Sequence, residues 1–163
     1  MTSEPASALT IERSVTIERA RDEVFALYTQ RAGTWWPLEI ASHNGRLAVD
    51  VTYEPCAGGR VFETWRDGTE VVWGHILVWE APGHFAYSYR PFADERLTEV
   101  ELWFTEIGTD RTEVRVQHRG WEAHGQDGVQ RSAGYNKGWK RNFALLARAA
   151  SEHTSGEGTR TDW

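Results

Sequence analysis

Seven short runs that alternate apolar with polar residues, followed by one amphipathic helix, constrain this fold more than any other feature. The first run is LTIERSVTI, and the next six are RLAVDVTYE, RVFETW, VVWGHILVWE, FAYSYR, TEVELWFTEI and TEVRVQHRG. A period of two is typical of half-buried strands. Links such as RDGT and GTDR have the length of hairpin loops. The pattern therefore predicts a seven-stranded antiparallel sheet.

Helical spacing appears between the first two strands and again near the end of the chain. In ARDEVFALYTQ the apolar residues follow a helical period, and RAGTWWP then indicates a second short helix or turn that carries Trp35 and Trp36. In GYNKGWKRNFALLARAA the apolar stripe comprises Tyr135, Trp139, Phe143, Leu146 and Ala150. We therefore expect an α+β fold, in which a long C-terminal helix lies across one face of the sheet.

The chain has 163 residues, a length that suits one domain, which we place at 9–150 between flexible polar tails at 1–8 and 151–163. A formal charge of −6 argues against nucleic acid as a partner. No apolar stretch approaches the ~20 residues that a bilayer requires, so we expect no membrane insertion and a cytoplasmic location. Cys56, the single cysteine, excludes an intrachain disulfide.

The sequence carries no motif for a cofactor, a metal or a covalent catalytic mechanism. GxSxG, HExxH, the Walker loop and the dinucleotide glycine fingerprint are all missing. The glycines of EPCAGGR lie between two strands, where no helix begins that could hold a phosphate. We therefore expect neither a cofactor nor a bound metal.

Aromatic residues are the unusual part of the composition, with nine Trp, five Tyr and six Phe. So many rings form either a solid core or the wall of a pocket. The period of two places seven of them on the inner face of the sheet: Trp65, Trp73, Trp79, Phe85, Tyr87, Tyr89 and Phe104. The apolar candidates for a ligand site are Trp35, Trp36, Trp65, Trp79, Tyr87, Tyr89, Leu102, Phe104, Tyr135 and Trp139.

Four polar candidates project toward the apolar interior: Glu63, His75 and His118 from the strands, and Asn142 from the helix. In VVWGHILVWE the preferred phase points Trp73, His75, Leu77 and Trp79 inward, although Ile76 and Val78 leave this phase ambiguous. Buried polar groups are usually bound to backbone or neighbouring side chains. A second interpretation is that some of them orient a ligand. A third is that Glu63 and His118 form an acid–base pair.

Two further features each have two interpretations. Trp35 and Trp36 either cap the end of the sheet or gate a cavity. Gly138 lies one residue from the apolar stripe of the final helix. Its missing side chain either lets the helix approach the sheet closely or leaves room beside it. We expect Gly138 at the closest approach, Trp139 buried, and Asn142 facing the interior beside Phe143.

Six segments carry a resemblance to a known family, in chain order: IERSVTIERARDEVFALYT, WWP, CAGGRVFETWRDGT, GHILVWEAPGHFAYSY, TEVELWFTEIGTDRTEVRVQHRGWE and YNKGWKRNFALL. In these segments the chain resembles the Hsp90-ATPase-activator-homologue branch of the START-like, helix-grip superfamily. This resemblance implies a curved seven-stranded sheet that grips the C-terminal helix, with two short helices between strands one and two. It also implies a cavity between sheet and helix for hydrophobic or polycyclic ligands.

Three functions follow from this resemblance. The preferred one is the binding of a hydrophobic or aromatic small molecule in an aromatic-lined cavity, in secondary metabolism or stress resistance. Relatives that are aromatases and cyclases make an enzyme one alternative. The other alternative is a co-chaperone for Hsp90. The co-chaperones that name the branch carry a further N-terminal domain, whereas ten residues precede Ile11 here. We therefore expect no chaperone partner.

Overall fold

The computed structural model describes residues 9–91 and 96–160, with side chains described up to residue 152. Seven antiparallel strands form one curved sheet in the order β1-β7-β6-β5-β4-β3-β2. Their bounds are β1 Ile11–Ile17, β2 Ala48–Tyr53, β3 Arg60–Trp65, β4 Glu70–Glu80, β5 His84–Tyr89, β6 Thr98–Gly108 and β7 Arg111–Arg119. The predicted α+β helix-grip architecture is confirmed.

The helices also follow the predicted order. Helix α1 (Arg21–Gln30) and a short 3₁₀ helix (Ala32–Thr34) lie between β1 and β2, and a further 3₁₀ segment (Trp121–Asp127) leads into helix α2 (Gly128–Arg160). Because Gly125 has a φ of +60°, the 3₁₀ segment is interrupted there before α2 begins. The predicted tail at 1–8 and the last three residues of the other tail lie outside the described residues.

Helix α2 is longer than the sequence pattern indicates. It begins at Gly128 rather than Gly134, and it continues past Ala150 through the first ten residues of the predicted C-terminal tail. Each residue added to an existing helix gains one backbone hydrogen bond, so a helix needs no apolar stripe to extend. An ion pair between Arg148 and Glu152 at 3.3 Å spans the predicted boundary.

Strand β4 departs from simple alternation, and two predicted orientations are wrong for this reason. Its register shifts once against β3, near Trp73, and once against β5, near Leu77. Each shift inserts one extra residue, which moves the following side chains to the other face of the sheet. His75 and Leu77 are therefore exposed, whereas Trp73 and Ile76 are buried.

Close contact between β4 and β5 accompanies these shifts. A Cβ atom at Gly74 would overlap the carbonyl oxygen of Ser88 on the neighbouring strand. The backbone N–H of His75 donates to Ser88 Oγ at 3.0 Å. Only glycine permits this approach, so Gly74 explains how β4 bends at the point where its inward face changes phase.

The aromatic residues divide into a solid core and a more open half. Under α1, Phe25 and Tyr28 make edge-to-face contacts with Phe85 and Phe104, at ring-centroid distances of 5.0–5.9 Å. Trp35 packs against Tyr28 at 4.9 Å and closes this half of the core. The composition therefore supplies both a solid core and, in the other half, the wall of a cavity.

Helix α2 lies closer to β1 than to the other strands. Arg13, whose charge interrupts the apolar stripe of β1, donates from Nε to Asn136 Oδ1 on α2 at 2.8 Å. Further along the helix, Trp139, Phe143 and Leu146 are buried as predicted. Contact on the β1 side leaves space between the first half of α2 and the middle strands.

Candidate functional site

A cavity of about 810 Å³ fills the space between α2 and the sheet. Strand residues Trp73, Tyr87, Tyr89, Val100 and His118 form one wall. The opposite wall is the first half of α2, from Gln130 to Asn142, and the third is the segment from Trp36 to His43. Among the described residues, three elements distant in sequence therefore meet at one site.

Seven of the predicted site residues line this cavity: Trp36, Tyr87, Tyr89, His118, Tyr135, Trp139 and Asn142. The other seven lie elsewhere: Trp35, Glu63, Trp65, His75, Trp79, Leu102 and Phe104. Trp35, Leu102 and Phe104 are buried in the solid core, and Trp79 packs against Phe25 at 5.3 Å. His75 is exposed because of the register shifts in β4. Trp79, Leu102 and Phe104 belong to the part of the interior that α1 fills.

The two neighbouring tryptophans, Trp35 and Trp36, lie in different parts of the molecule. Trp35 donates from Nε1 to the Leu27 carbonyl at 3.1 Å and is part of the core under α1. Trp36 donates to the Ala41 carbonyl at 2.8 Å, and its ring contacts Trp73 and Trp139 at 5.7 and 5.8 Å. Trp36 is therefore the member of the pair that joins the cavity wall to α2.

His118 is buried in the cavity wall, and both of its ring nitrogens are hydrogen-bonded. Trp139 Nε1 donates to Nδ1 at 3.0 Å, and Nε2 lies 2.8 Å from Thr98 Oγ1. Because that hydroxyl donates to the Tyr89 carbonyl, it accepts from Nε2–H, and the ring is neutral. Burial, followed by the charges of Arg119 and His124, lowers the pKa of His118 to about 3. His118 is therefore a structural link between β7 and α2.

Glu63 lies beneath the cavity and accepts four hydrogen bonds. Oε1 accepts from the backbone N–H of His43 and from Trp73 Nε1, both at 2.7 Å. Oε2 accepts from the backbone N–H of Asn44 at 3.2 Å and from Trp65 Nε1 at 2.8 Å. This carboxylate fastens the segment before β2 to the sheet. Both oxygens are occupied, which favours the interpretation that Glu63 is bound to its neighbours over an acid–base pair with His118.

The helix wall of the cavity is unusually bare because it carries two glycines one turn apart. A Cβ atom at Gly134 would meet nothing within 4 Å, and one at Gly138 would meet only Arg141 Nη2, at 3.4 Å. The prediction that Gly138 marks the closest approach to the sheet is therefore wrong. The alternative interpretation, that the missing side chain leaves room beside the helix, agrees with both positions.

Several cavity residues had no signal in the sequence pattern. Ile40 to His43 lie in an irregular segment, where no periodicity indicates a direction, and Arg141 belongs to the side of α2 that appears solvent-facing on a helical wheel. Nε2 of His43 is buried without a hydrogen-bond partner among the described residues. Burial lowers the pKa of His43, which outweighs the opposing effect of Glu63, so the ring is neutral near pH 7.

Among the described residues, no group of three or more His, Cys, Asp or Glu side chains is placed to hold a metal ion. Cys56 is exposed and lies outside the cavity. Within the described part of the chain, no helix combines the length and apolar character needed to span a membrane.

Comparisons with known proteins agree with this architecture. The family model for Activator of Hsp90 ATPase homolog 1-like proteins matches residues 18–151. No curated protein matches the chain significantly.

Among solved structures, protein MLL2253 from Mesorhizobium loti is 17% identical, with a TM-score of 0.66 over 89% of this chain and 98% of that one. CalU16 from Micromonospora echinospora is 20% identical, with a TM-score of 0.61 over 90% of this chain and 78% of that one. The anthrahydroquino-γ-pyrone synthase Txn09 is 31% identical, with a TM-score of 0.54 over 76% of this chain and 84% of that one. The first two likenesses bear on the fold alone.

Proposed function

Because this chain belongs to the family of Activator of Hsp90 ATPase homolog 1-like proteins, we propose that it binds a hydrophobic, polycyclic small molecule in the cavity between sheet and α2. The observation that carries this proposal is the cavity itself, with aromatic side chains on one wall and two glycines on the other. Its volume of about 810 Å³ lies within the range of ~300–1,000 Å³ that is usual for ligand sites.

The likeness to Txn09, which is 31% identical, supports a polycyclic aromatic ligand. Txn09 is described as an anthrahydroquino-γ-pyrone synthase, which names a fused-ring product. Fused rings suit a site with Trp36, Trp73 and Tyr87 on its walls, because flat aromatic surfaces stack or meet edge to face. We further propose that the protein acts in the cytoplasm without nucleic acid or membrane partners. Its charge of −6 argues against nucleic acid.

Titration with anthraquinone, followed by tryptophan fluorescence and calorimetry, tests the binding proposal. Three tryptophans, Trp36, Trp73 and Trp139, line the cavity, so a bound quinone should quench the emission. The Gly134→Leu variant should lose binding because its side chain enters the open space, whereas Gly134→Ala should retain it. Equal affinity in the wild type and both variants, or no binding by the wild type, would refute a ligand site at this position.

Catalysis is a second candidate, favoured by the 31% identity to a synthase. His43 is the cavity group best suited to act as a base, because it is neutral and its Nε2 has no partner among the described residues. Incubation with an anthrahydroquinone precursor, analysed by chromatography and mass detection, should then show a cyclised product. His43→Gln should abolish the product while ligand binding persists. Undiminished turnover by this variant would exclude His43 as the base.

The co-chaperone alternative is supported by the description of the family model. We propose that the chain has no such role, because its cavity and bare helix wall suit a small molecule. Addition of the protein to an Hsp90-type ATPase should leave the rate of ATP hydrolysis unchanged. Stimulation at micromolar concentration would contradict this part of the proposal.

A further inference from the structure

We propose, on the premise that the cavity binds a polycyclic ligand, that this ligand carries an ionised oxygen, a carboxylate or phenolate, which binds to Arg141 and Asn142. Both residues line the cavity, one on the exposed rim and the other buried. They are adjacent on α2, and each has N–H groups that can donate hydrogen bonds to an oxygen substituent of the ligand.

Arg141 and Asn142 are already arranged as a unit. Arg141 Nε and Nη2 both donate to Asn142 Oδ1, at 3.2 and 3.1 Å. This pair of bonds occupies the oxygen of the amide, and no hydrogen bond from Asn142 Nδ2 occurs among the described residues. Asn142 is 4% exposed, so its amino group has the cavity as its remaining source of acceptors. A ligand oxygen there would give this amino group an acceptor.

The position of Arg141 depends on the neighbouring glycine. Its Nη2 lies 3.4 Å from the place where a Cβ of residue 138 would stand, so the guanidinium folds back along the surface of α2 over Gly138. A guanidinium in this position faces the cavity rim rather than bulk solvent alone. The remaining N–H groups of Arg141 can therefore donate to a ligand while two others hold Asn142.

The charges around the cavity leave Arg141 as a cation without a carboxylate partner among the described residues. The charged residues of the lining are Asp127, Arg131 and Arg141, and its two histidines, His43 and His118, are neutral. Arg131 lies 3.7 Å from Asp127 and also contacts His124. The excess positive charge at the rim is therefore on Arg141, although the whole chain carries −6. A localised cation on an acidic protein favours an anion at that one site.

The two glycines determine where the ring system of such a ligand lies. Gly134 and Gly138 leave the surface of α2 flat on the side that faces the cavity. A planar ring placed over Gly134 reaches the Arg141 guanidinium at one edge, because that group lies over Gly138, one turn further along the helix. The site is thus an aromatic and glycine-lined slot with a cationic end.

The test compares anthraquinone-2-carboxylate with its primary amide, which has the same rings and no charge. Calorimetry with the wild type should give a dissociation constant at least about tenfold lower for the carboxylate, as expected for a charge-assisted hydrogen bond. In Arg141→Gln the preference should disappear while affinity for the amide stays within about threefold. Lys140→Gln, which removes the adjacent exposed charge of α2, should keep the preference.

Each outcome separates this inference from the proposed function. If the amide binds the wild type as tightly as the carboxylate, the cationic subsite is refuted and a neutral ligand site remains. If Arg141→Gln keeps the preference, Arg141 is refuted as the group that binds the anion. If neither compound binds, both proposals fail. If Lys140→Gln loses the preference as fully as Arg141→Gln, attraction is general and direct contact with Arg141 is refuted.

A second ligand distinguishes the two kinds of oxygen. 2-Hydroxyanthraquinone is titrated at one pH below and one above the ionisation of its phenol, with the amide as a control at both. Tighter binding of the ionised form that depends on Arg141 assigns the site to phenolates as well. The absence of such tightening, with the carboxylate preference intact, restricts the ligand class to carboxylates.

Discussion

Glu63 is a buried carboxylate whose four hydrogen-bond donors are all uncharged N–H groups. Replacement by Gln turns one of its two oxygens into an amino group, which would face two of these donors. Each orphaned donor costs about 1–3 kcal/mol. We expect Glu63→Gln to lower the free energy of unfolding by about 2–6 kcal/mol, measured by urea denaturation.

The matched control is Glu70→Gln, which makes the same chemical change at the surface. Glu70 forms an exposed ion pair with Arg60 at 2.8 Å. Such pairs contribute about 0–1 kcal/mol, so this variant should unfold almost like the wild type. Equal stability losses in the two variants would show that the four hydrogen bonds to Glu63 contribute no more to the free energy of unfolding than the exposed ion pair of Glu70.

His118 gives a prediction about pH. The folded protein keeps this ring neutral down to about pH 3, whereas the unfolded chain protonates it below its ordinary value of 6.5. Between these values the unfolded state binds more protons, so the free energy of unfolding decreases as pH falls, by up to ~1.4 kcal/mol per unit.

His118→Gln removes this titration while other groups still titrate. The stability difference between the wild type and this variant should therefore shrink on acidification from pH 7 to pH 4, in parallel series of urea titrations. Parallel pH profiles for the two proteins would mean that His118 is accessible to protons in the folded state.

At the scale of the element, helix α2 has two residues of low helix propensity, Gly134 and Gly138, on the face that lines the cavity. Glycine in a helix costs about 1 kcal/mol relative to alanine, and neither Gly134 nor Gly138 is in contact with the sheet. We expect Gly134→Ala and Gly138→Ala each to raise the free energy of unfolding by about 0.5–1 kcal/mol in urea denaturation. Destabilisation at either position would show a close backbone contact there.

Strands β7 and β4 show where prediction from the alternating pattern succeeds and where it fails. Alternation correctly places Val114, Val116 and His118 inward because β7 pairs with β6 without a break in that stretch. It fails for His75 and Leu77 because an inserted residue changes the phase, and nothing in VVWGHILVWE fixes the positions of the two shifts. Gly74 was the available signal, since glycine within a strand often marks such an irregularity.

The packing of the whole molecule explains why several predicted site residues lie in the solid core instead of the cavity wall. Both Phe104 and Tyr87 face the inner side of the sheet, as predicted. Which of them lines a cavity depends on where α1 packs, and no local pattern contains that information. The contribution of residues 40–43 was likewise unpredictable, because it follows from the bonds between Glu63 and two backbone N–H groups.

At the scale of the whole molecule, ligand binding should also appear as thermal stability. A ligand at 100 times its dissociation constant stabilises the folded state by about 2.7 kcal/mol. For a domain of this size that corresponds to a rise in Tm of roughly 5–10 °C, measured by differential scanning calorimetry. Gly134→Leu should show no such rise at the same ligand concentration. A similar rise in this variant would place the ligand outside the cavity.

The bonds to Glu63 have a consequence for evolution. The carboxylate holds residues 43 and 44 through main-chain N–H groups, which every amino acid except proline provides. This anchor therefore makes no demand on the identity of the side chains it holds. Ile40, Ala41, Ser42 and His43, which face the cavity, can be exchanged while their backbone stays in place. A scaffold with this property can acquire a new ligand preference by substitutions in one short segment, with little risk to folding.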